Sequence, residues 1–275
     1  MSRVKIVNFS LFLLVCLTFA SKSAVASQPR GDNVLDQAVK QFYYDGKNLL
    51  LSPFHWDKKE RLEFLAIASI TAGLFLADEE LQKIAQRNRS RFSNDLSSLV
   101  TPPETIYPKF AIGGFYLVGL IFQRKKEKDT ALYLLESVMF TQGITQAIKY
   151  SAGRARPFAD KGAYHFEGFR THPSSYSLSF SSGHSATAFS LASVIAEQYD
   201  NRIIDWVSYS IASLAAWARV NENAHFTSDV FFGGVLGTWV GKTIVRLNKN
   251  KKEKSKELSV HPEIGLNSIR VSLNF

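Results

Sequence analysis

The chain has 275 residues, 45% of them hydrophobic, and a net charge of +9 at neutral pH. This length suits one domain with a full core, and the hydrophobic fraction excludes a disordered chain. The mean hydropathy of −0.07 is low for a protein made mainly of membrane spans, and the positive charge favours anionic partners.

The N-terminus is predicted to be a cleaved signal peptide, residues 1–26. Basic residues precede an apolar run over 9–20, and an A-x-A triplet ends at Ala26, as at a signal-peptidase site. The apolar run is short for a membrane span, although an uncleaved anchor helix is the alternative. Cys16 is the one cysteine of the chain and lies in this segment, so the mature chain would offer no thiol as nucleophile or metal ligand.

The rest of the chain is predicted to consist of three parts. Residues 27–60 form an amphipathic segment, residues 61–248 form the main helical domain, and residues 249–275 form a basic linker and a tail. Apolar residues of the tail partly alternate, which is typical of a strand or hairpin.

Six segments of the main domain have apolar residues at helical spacing and are predicted to be helices. They cover about residues 62–76, 110–122, 132–149, 185–199, 203–219 and 228–247. The stretch 77–109 is predicted to be irregular, with a short amphipathic helix near 81–87, and 150–183 is predicted to be a long ordered loop. We therefore predict an all-α fold, a six-helix bundle with the active site at one end.

Three clusters of polar residues lie at boundaries of these helices. The first runs from Lys149 to Pro157, the second from Ser181 to His184, and the third from Arg219 to Asp229. If consecutive helices are antiparallel, these boundaries all lie at the same end of the bundle. The topology by itself therefore predicts that the three clusters meet.

The clusters together predict a site for an anion. Lys149, Arg156 and Arg219 would bring three cations to one point, and arginine matches the oxygens of a phosphate particularly well. Ser182 and Gly183 precede a helix, whose first N–H groups and dipole also favour an anion.

The same clusters contain groups that can transfer a phosphoryl group. His225 and Asp229 are four residues apart and share a helix face, so the carboxylate can fix the imidazole tautomer and leave the other ring nitrogen as nucleophile or base. His184 is a second imidazole and could act as a general acid. A zinc site of His184, His225 and Asp229 is a weaker alternative, because the three cations would repel a divalent metal. We expect no metal and no other cofactor.

These clusters resemble the signature of the type 2 phosphatidic-acid phosphatase superfamily, which includes lipid phosphate phosphatases, bacterial class A acid phosphatases and vanadium haloperoxidases. The family pattern is Lys, six residues, Arg-Pro; then Pro-Ser-Gly-His; then Ser-Arg, five residues, His, three residues, Asp. This chain differs at two positions, with Ser181 where the family usually has Pro and Ala218 where it usually has Ser. The resemblance covers about residues 60–247 and implies that 61–248 is a catalytic domain.

The resemblance implies a role for each matching residue. His225 would attack phosphorus, Asp229 would orient it, and His184 would protonate the leaving alcohol. The residues that would bind phosphate are Lys149, Arg156, Ser182, Gly183 and Arg219.

We therefore expect a metal-independent phosphatase that acts on phosphate monoesters, either a lipid phosphate or an isoprenoid pyrophosphate of the cell envelope, through a phosphohistidine. The alternatives are a soluble periplasmic acid phosphatase of broad specificity, a vanadium-dependent haloperoxidase and a phosphate-binding protein without activity. Expected partners are a phosphorylated lipid or small phosphate ester and a membrane surface, with no nucleic acid and no obligate protein partner.

The expected location is the periplasm, in contact with a membrane. The alternative is an integral inner-membrane protein whose active site faces outward, since basic clusters lie at the opposite helix ends. The apolar cores of the first two predicted helices are shorter than a span requires, which favours the first interpretation.

Overall fold

The computed structural model describes residues 34–100, 106–169, 174–257, 260–265 and 268–273. The predicted signal peptide, residues 1–26, lies outside the described residues. The chain divides into two compact units, residues 1–57 and 58–275. In the smaller unit, the described residues form helix α1 (Val34–Leu51) and a 3₁₀ turn, Ser52–His55.

The described part of the larger unit contains seven α-helices and a hairpin. The helices are α2 (Lys58–Arg87), α3 (Arg91–Val100), α4 (Ile106–Ile121), α5 (Lys125–Ala152), α6 (Gly183–Tyr199), α7 (Arg202–Asn221) and α8 (Thr227–Glu257). The predicted all-α class is confirmed. The six predicted helices correspond to α2 and α4 to α8, and α1 and α3 are additional.

The prediction that residues 77–109 are irregular is wrong for most of that stretch. Helix α2 continues without a break to Arg87, and α3 follows after a short turn. Polar side chains here serve contacts between helices: Gln86 Nε2 donates to the Val220 carbonyl at 3.1 Å, and Asn221 Nδ2 donates to Ser97 Oγ at 2.7 Å. This polar stretch therefore forms helices that hold the end of α7, because partners elsewhere in the fold satisfy the hydrogen bonds of its side chains.

Helices α6 and α8 form the closest contact in the bundle. One face of α8 carries Gly233, Gly237 and Gly241, four residues apart, and a Cβ on Gly237 would overlap the backbone carbonyl of Ala186. A Cβ on Gly233 would lie 2.6 Å from the Ser182 carbonyl oxygen. The glycines let the two backbones touch, so the start of α8 lies against the start of α6.

The opposite end of the bundle is held by ion pairs from the basic half of α8. Lys252 Nζ lies 2.6 Å from Asp129 at the start of α5, and Lys242 Nζ lies 3.5 Å from Glu197 at the end of α6. The basic end of α8 is therefore remote from the three polar clusters, as the antiparallel arrangement requires.

Within the described residues, one stretch of α8, Thr227–Glu253, is long and apolar enough to cross a membrane by length and composition. Half of the apolar part of this stretch is buried in the bundle, and core helices of soluble proteins can be equally long and apolar. The stretch is therefore weak evidence for a span.

The tail forms the predicted hairpin. Strands β1 (Val260–Gly265) and β2 (Ser268–Leu273) pair antiparallel, with Val260 opposite Leu273.

We predict that Gly237→Ala lowers the free energy of unfolding by about 1–3 kcal/mol, the usual cost of overfilling a packed interior. Gly143→Ala is the matched control, because a Cβ at this helical glycine meets nothing within 4 Å; we expect a gain of about 0.5–1 kcal/mol there. Urea unfolding of both variants measures the difference. Equal stabilities would show that the α6–α8 contact is looser than described.

Candidate active site

The first polar cluster begins where α5 ends. Gly153 caps the helix with φ +61°, and its N–H donates to the Lys149 carbonyl at 3.0 Å. A Cβ here would lie 2.5 Å from the Gly168 carbonyl oxygen, so glycine is required both for the backbone conformation and for space. The helix thus stops just after Lys149, which is 5% exposed.

Backbone hydrogen bonds order the described part of the loop after α5. Ala155 N–H donates to His165 at 2.9 Å, Arg156 N–H donates to Tyr176 at 2.8 Å, and Ser179 N–H donates to Arg154 at 3.0 Å. The two arginines of this segment have different surroundings: Arg154 is fully buried, whereas Arg156 is half-buried.

The second cluster forms the start of α6. Ser182 is the N-cap residue, and its Oγ accepts hydrogen bonds from the backbone N–H and hydroxyl of Ser185. The Ser182 N–H donates to the Asp229 carbonyl at 3.0 Å, so this amide joins the second cluster to the third. Gly183 lies in the first helical turn, where N–H groups have no partner inside the helix and favour an anion.

His184 is the next residue of that turn and is half-buried. Its carbonyl accepts a hydrogen bond from the Tyr107 hydroxyl at 3.1 Å. This contact joins the start of α4 to the rim of the site.

The third cluster is the tight connection from α7 to α8. The Arg219 carbonyl accepts from the N–H groups of Ala224 at 3.0 Å and His225 at 3.3 Å. Asn223 adopts φ +58° at the reversal, a conformation that asparagine tolerates. Arg219 is 8% exposed and its guanidinium pairs with Glu222. The connection therefore fixes Arg219 next to His225.

His225 and Asp229 face each other across one turn at the start of α8. The ring is buried, and its Nδ1 lies 3.7 Å from Asp229 Oδ2, an ion-pair distance rather than a direct hydrogen bond. Asp229 Oδ2 accepts from Ser179 Oγ at 2.6 Å and from the Phe226 N–H at 2.9 Å. The carboxylate is thus held in place, with Nδ1 towards it and Nε2 left for chemistry.

The surroundings of His225 favour a neutral ring. Burial lowers the pKa of His225 to about 3; Asp229 opposes this shift, while the charges of Arg156 and Lys149 add to it. Burial by itself would raise the pKa of Asp229, but the facing His225 and Arg154 hold it below its ordinary value. At neutral pH the site therefore pairs a neutral imidazole with a carboxylate, the state that a nucleophilic histidine needs.

The structure brings predicted site residues together at one end of the bundle. Backbone hydrogen bonds join Ser182 to Asp229 and Arg219 to His225. Lys149 and Arg156 lie close enough to act electrostatically on His225. Four further residues, which the sequence analysis missed, contact Asp229 or its neighbours: Asp78, Arg154, Ser179 and Ser228. Arg154 could have been suspected, since it lies between Lys149 and Arg156. Asp78 could not, since it lies about half the chain away.

The described part of the chain contains no group of three or more His, Cys, Asp or Glu side chains arranged to hold a metal ion. The zinc alternative of His184, His225 and Asp229 therefore gains no support from the geometry.

Comparison with known proteins shows what the part of the chain that carries this site is similar to. Residues 130–253, less than half of the chain, match the PAP2 superfamily. The resemblance drawn from the three clusters is confirmed, and all three clusters lie inside the matched residues.

Two similar proteins are lipid A 1-phosphatases. The one from Porphyromonas gingivalis is 35% identical over 103 residues, which cover 36% of this chain and 20% of that protein. The one from Rhizobium johnstonii is 33% identical over 109 residues, which cover 39% of this chain and 43% of that protein. The chain thus spans less than half the length of these relatives.

A solved structure has a similar fold. The first transmembrane PAP2 type phosphatidylglycerolphosphate phosphatase from Bacillus subtilis aligns with a TM-score of 0.52 over 75% of this chain and 97% of that protein, at 20% identity. At this identity the likeness supports the helical PAP2 fold alone.

We predict that His225 of the unliganded protein does not titrate between pH 5 and 8. Proton NMR of ¹³C-histidine-labelled protein measures this, with His225→Asn to assign the signal and the remaining histidines as internal references. A midpoint near the ordinary 6.5 would contradict the buried neutral ring.

Because the folded pKa of His225 is depressed, the unfolded chain binds this proton more strongly. The neutral ring therefore contributes its full stability above about pH 6.5, and that contribution is lost as the pH falls towards 3.

Proposed function

We propose that this chain is a metal-independent phosphatase that hydrolyses the phosphate monoester of a cell-envelope lipid through a phosphohistidine on His225. The observation that carries the proposal is the buried, neutral His225, which faces the fixed carboxylate of Asp229 and lies within the electrostatic reach of Lys149 and Arg156. Simple binding of phosphate requires cations but not this histidine–carboxylate pair, so the arrangement favours catalysis over binding.

The cations and the start of α6 would hold the phosphate. Lys149, Arg156 and Arg219 supply positive charge, and the first turn of α6 at Ser182 and Gly183 supplies N–H groups and a helix dipole. Charge builds up on the phosphoryl oxygens as the reaction proceeds, so these groups would also stabilise the transition state. They fill the role that metal ions play in many phosphoryl-transfer enzymes.

The chemical step would use both histidines. The lone pair of His225 Nε2 forms an N–P bond while the P–O bond to the alcohol breaks, and His184 gives its proton to the leaving oxygen. Water then gives a proton to the neutral His184 while its oxygen bonds to phosphorus and the N–P bond breaks, which releases inorganic phosphate and restores both histidines. His225 must start neutral and His184 protonated, so activity should have a bell-shaped pH dependence that belongs to the coupled pair.

A lipid substrate is supported by apolar side chains that the bundle exposes. On α7 they recur at helical spacing: Ile203, Trp206, Val207, Ile211, Leu214 and Trp217, with Trp206 77% exposed. Phe110, Leu117 and Ile121 are similarly exposed on α4, and Leu62, Phe64 and Leu65 on α2. Such surfaces mark contact with a membrane or another protein. The lipid A 1-phosphatases among the relatives make the 1-phosphate of lipid A the first substrate to test.

We propose that the mature protein is exported and works at the membrane surface from the periplasm, with the apolar faces of α2, α4 and α7 against lipid. The test compares phosphate release from lipid substrates in mixed micelles with release from p-nitrophenyl phosphate in solution. The lipid substrates are lipid A, phosphatidylglycerol phosphate and undecaprenyl pyrophosphate. This comparison separates the proposal from a soluble acid phosphatase of broad specificity.

We predict different losses when the two histidines are replaced. His225→Ala removes the nucleophile, so it should lose activity on every substrate. His184→Ala removes only the proton donor, so it should lose much more on an alkyl phosphate than on p-nitrophenyl phosphate, whose leaving group needs no proton; general acids contribute about 10²–10⁴-fold. Acid-labile phosphate trapped on the protein should be absent from His225→Ala but present in the wild type and in His184→Ala. Substantial activity of His225→Ala would reject the mechanism.

We also predict full activity in EDTA and inhibition by vanadate, which adopts the geometry of five-coordinate phosphorus. The reason is that Lys149, Arg156 and Arg219 supply the positive charge that a metal would otherwise provide. Phosphate release before and after extended chelation measures this. Loss of activity that a divalent cation restores would show that a metal takes part.

A further inference from the structure

Arg154 is the largest fully buried side chain in the described part of the protein. Its Nη1 donates to Asp229 Oδ1 at 2.6 Å and to Ser228 Oγ at 2.8 Å. Its Nη2 donates to Asp78 Oδ2 at 2.8 Å, and both Nε and Nη2 donate to the Ala163 carbonyl. One guanidinium therefore bridges two buried carboxylates, one of which faces His225.

Aromatic rings enclose this guanidinium. Its central carbon lies 4.4 Å from the ring centroid of Phe226, 4.7 Å from that of Phe75 and 5.7 Å from that of Phe166. The rings exclude water and stabilise the cation, so the charges of this cluster act on one another with little screening.

Asp78 is the carboxylate on the far side of Arg154. Its Oδ1 accepts from the Ser228 N–H at 3.0 Å, and its Oδ2 accepts from the Ser228 hydroxyl as well as from Arg154. Since Ser228 lies next to Asp229 in α8, these bonds attach α2 to the turn that carries the His225–Asp229 pair.

The net charge of Asp78, Arg154 and Asp229 depends on the ionisation of the two carboxyl groups. With both carboxyls ionised, Asp78, Arg154 and Asp229 carry a net charge of −1 beside a neutral His225. Without Asp78, the net charge of Arg154 and Asp229 would be zero. Burial raises the pKa of Asp78, whereas its bonds with Ser228 and Arg154 oppose that shift. When ionised, Asp78 offsets part of the effect of Arg154 on the potential at the imidazole.

We propose that Arg154 and Asp78 are positioning residues for the phosphorylation of His225, a role that rests on the function proposed above. Arg154 fixes the orientation of Asp229, and Asp78 holds Arg154 in place and adds a second carboxylate to the cluster. When the Nε2 lone pair forms the N–P bond and the alcohol leaves with a proton, the imidazole becomes a cation. The cluster then balances that new charge without moving any group, so its effect is larger in the transition state than in the substrate complex.

The test is rapid-quench kinetics of Asp78→Asn with p-nitrophenyl phosphate. The amplitude of the nitrophenol burst counts functional sites, and its rate reports phosphorylation of His225. We expect a burst rate and kcat about 10- to 100-fold lower, the usual effect of losing a group that orients a catalytic residue, with KM within about twofold, because the phosphate-binding cations are unchanged. A purely structural role would lower the fraction of folded protein, measured by circular dichroism, and leave the burst rate per folded site unchanged.

Asp129→Asn is the matched control. It makes the same chemical change in an Asp that pairs with a cation, Lys252 at 2.6 Å, but at the other end of the bundle, so its burst rate should equal that of the wild type. Asp78→Glu restores the charge and should recover most of the rate lost in Asp78→Asn.

If Asp78→Asn does not fold, Arg154→Lys decides the question. Lysine keeps the positive charge, but its single ammonium group cannot bridge both carboxylates in the same geometry, so the same loss in burst rate is expected. A wild-type burst rate in either folded variant overturns the inference, as does a raised KM with unchanged kcat. Absence of phosphohistidine in the wild type would instead reject the proposed function itself.

Discussion

The burial of one arginine is the constraint on which the arrangement of the site depends. Arg154 has no exposed surface, so the energy of removing its charge from water must be offset by partners at close range. Asp78, Asp229, Ser228 and the Ala163 carbonyl supply them. These partners come from α2, the loop and the start of α8, and the requirement to satisfy one guanidinium therefore fixes three separate parts of the chain relative to one another.

The glycine face of α8 also fixes the position of the site, through the packing of α8 on α6. Because Gly233 and Gly237 let α8 touch the backbone of α6, the Ser182 N–H reaches the carbonyl of Asp229. The first turns of the two helices are thereby placed side by side, one with N–H groups suited to a phosphate and the other with the His225–Asp229 pair. The tightest part of the core lies directly beneath the site, as a reaction with strict geometry requires.

The electrostatics of the site follow from this packing. The cluster around Arg154 is dry and holds two carboxyl groups around one guanidinium, whereas Lys149 and Arg156 place positive charge near His225. The imidazole lies between these two regions and is neutral because it is buried. Such a boundary between fixed charges of opposite sign suits a step in which a neutral nucleophile becomes a cation as it takes up an anionic group.

Much of the site was determined by the sequence alone. Helical periodicity placed Lys149, Ser182, Arg219 and His225 at helix boundaries. Antiparallel packing of neighbouring helices brings those boundaries together. Both could be predicted because they depend on short stretches of chain. The tertiary structure decided the rest. Asp78 lies in a polar stretch with no apolar period, just beyond the predicted helix 62–76, and α2 continues through it. Its carboxylate is bound by partners 76 and 150 residues away. No local pattern can predict such partners, since hydrogen bonds between distant segments exist only after the chain has folded.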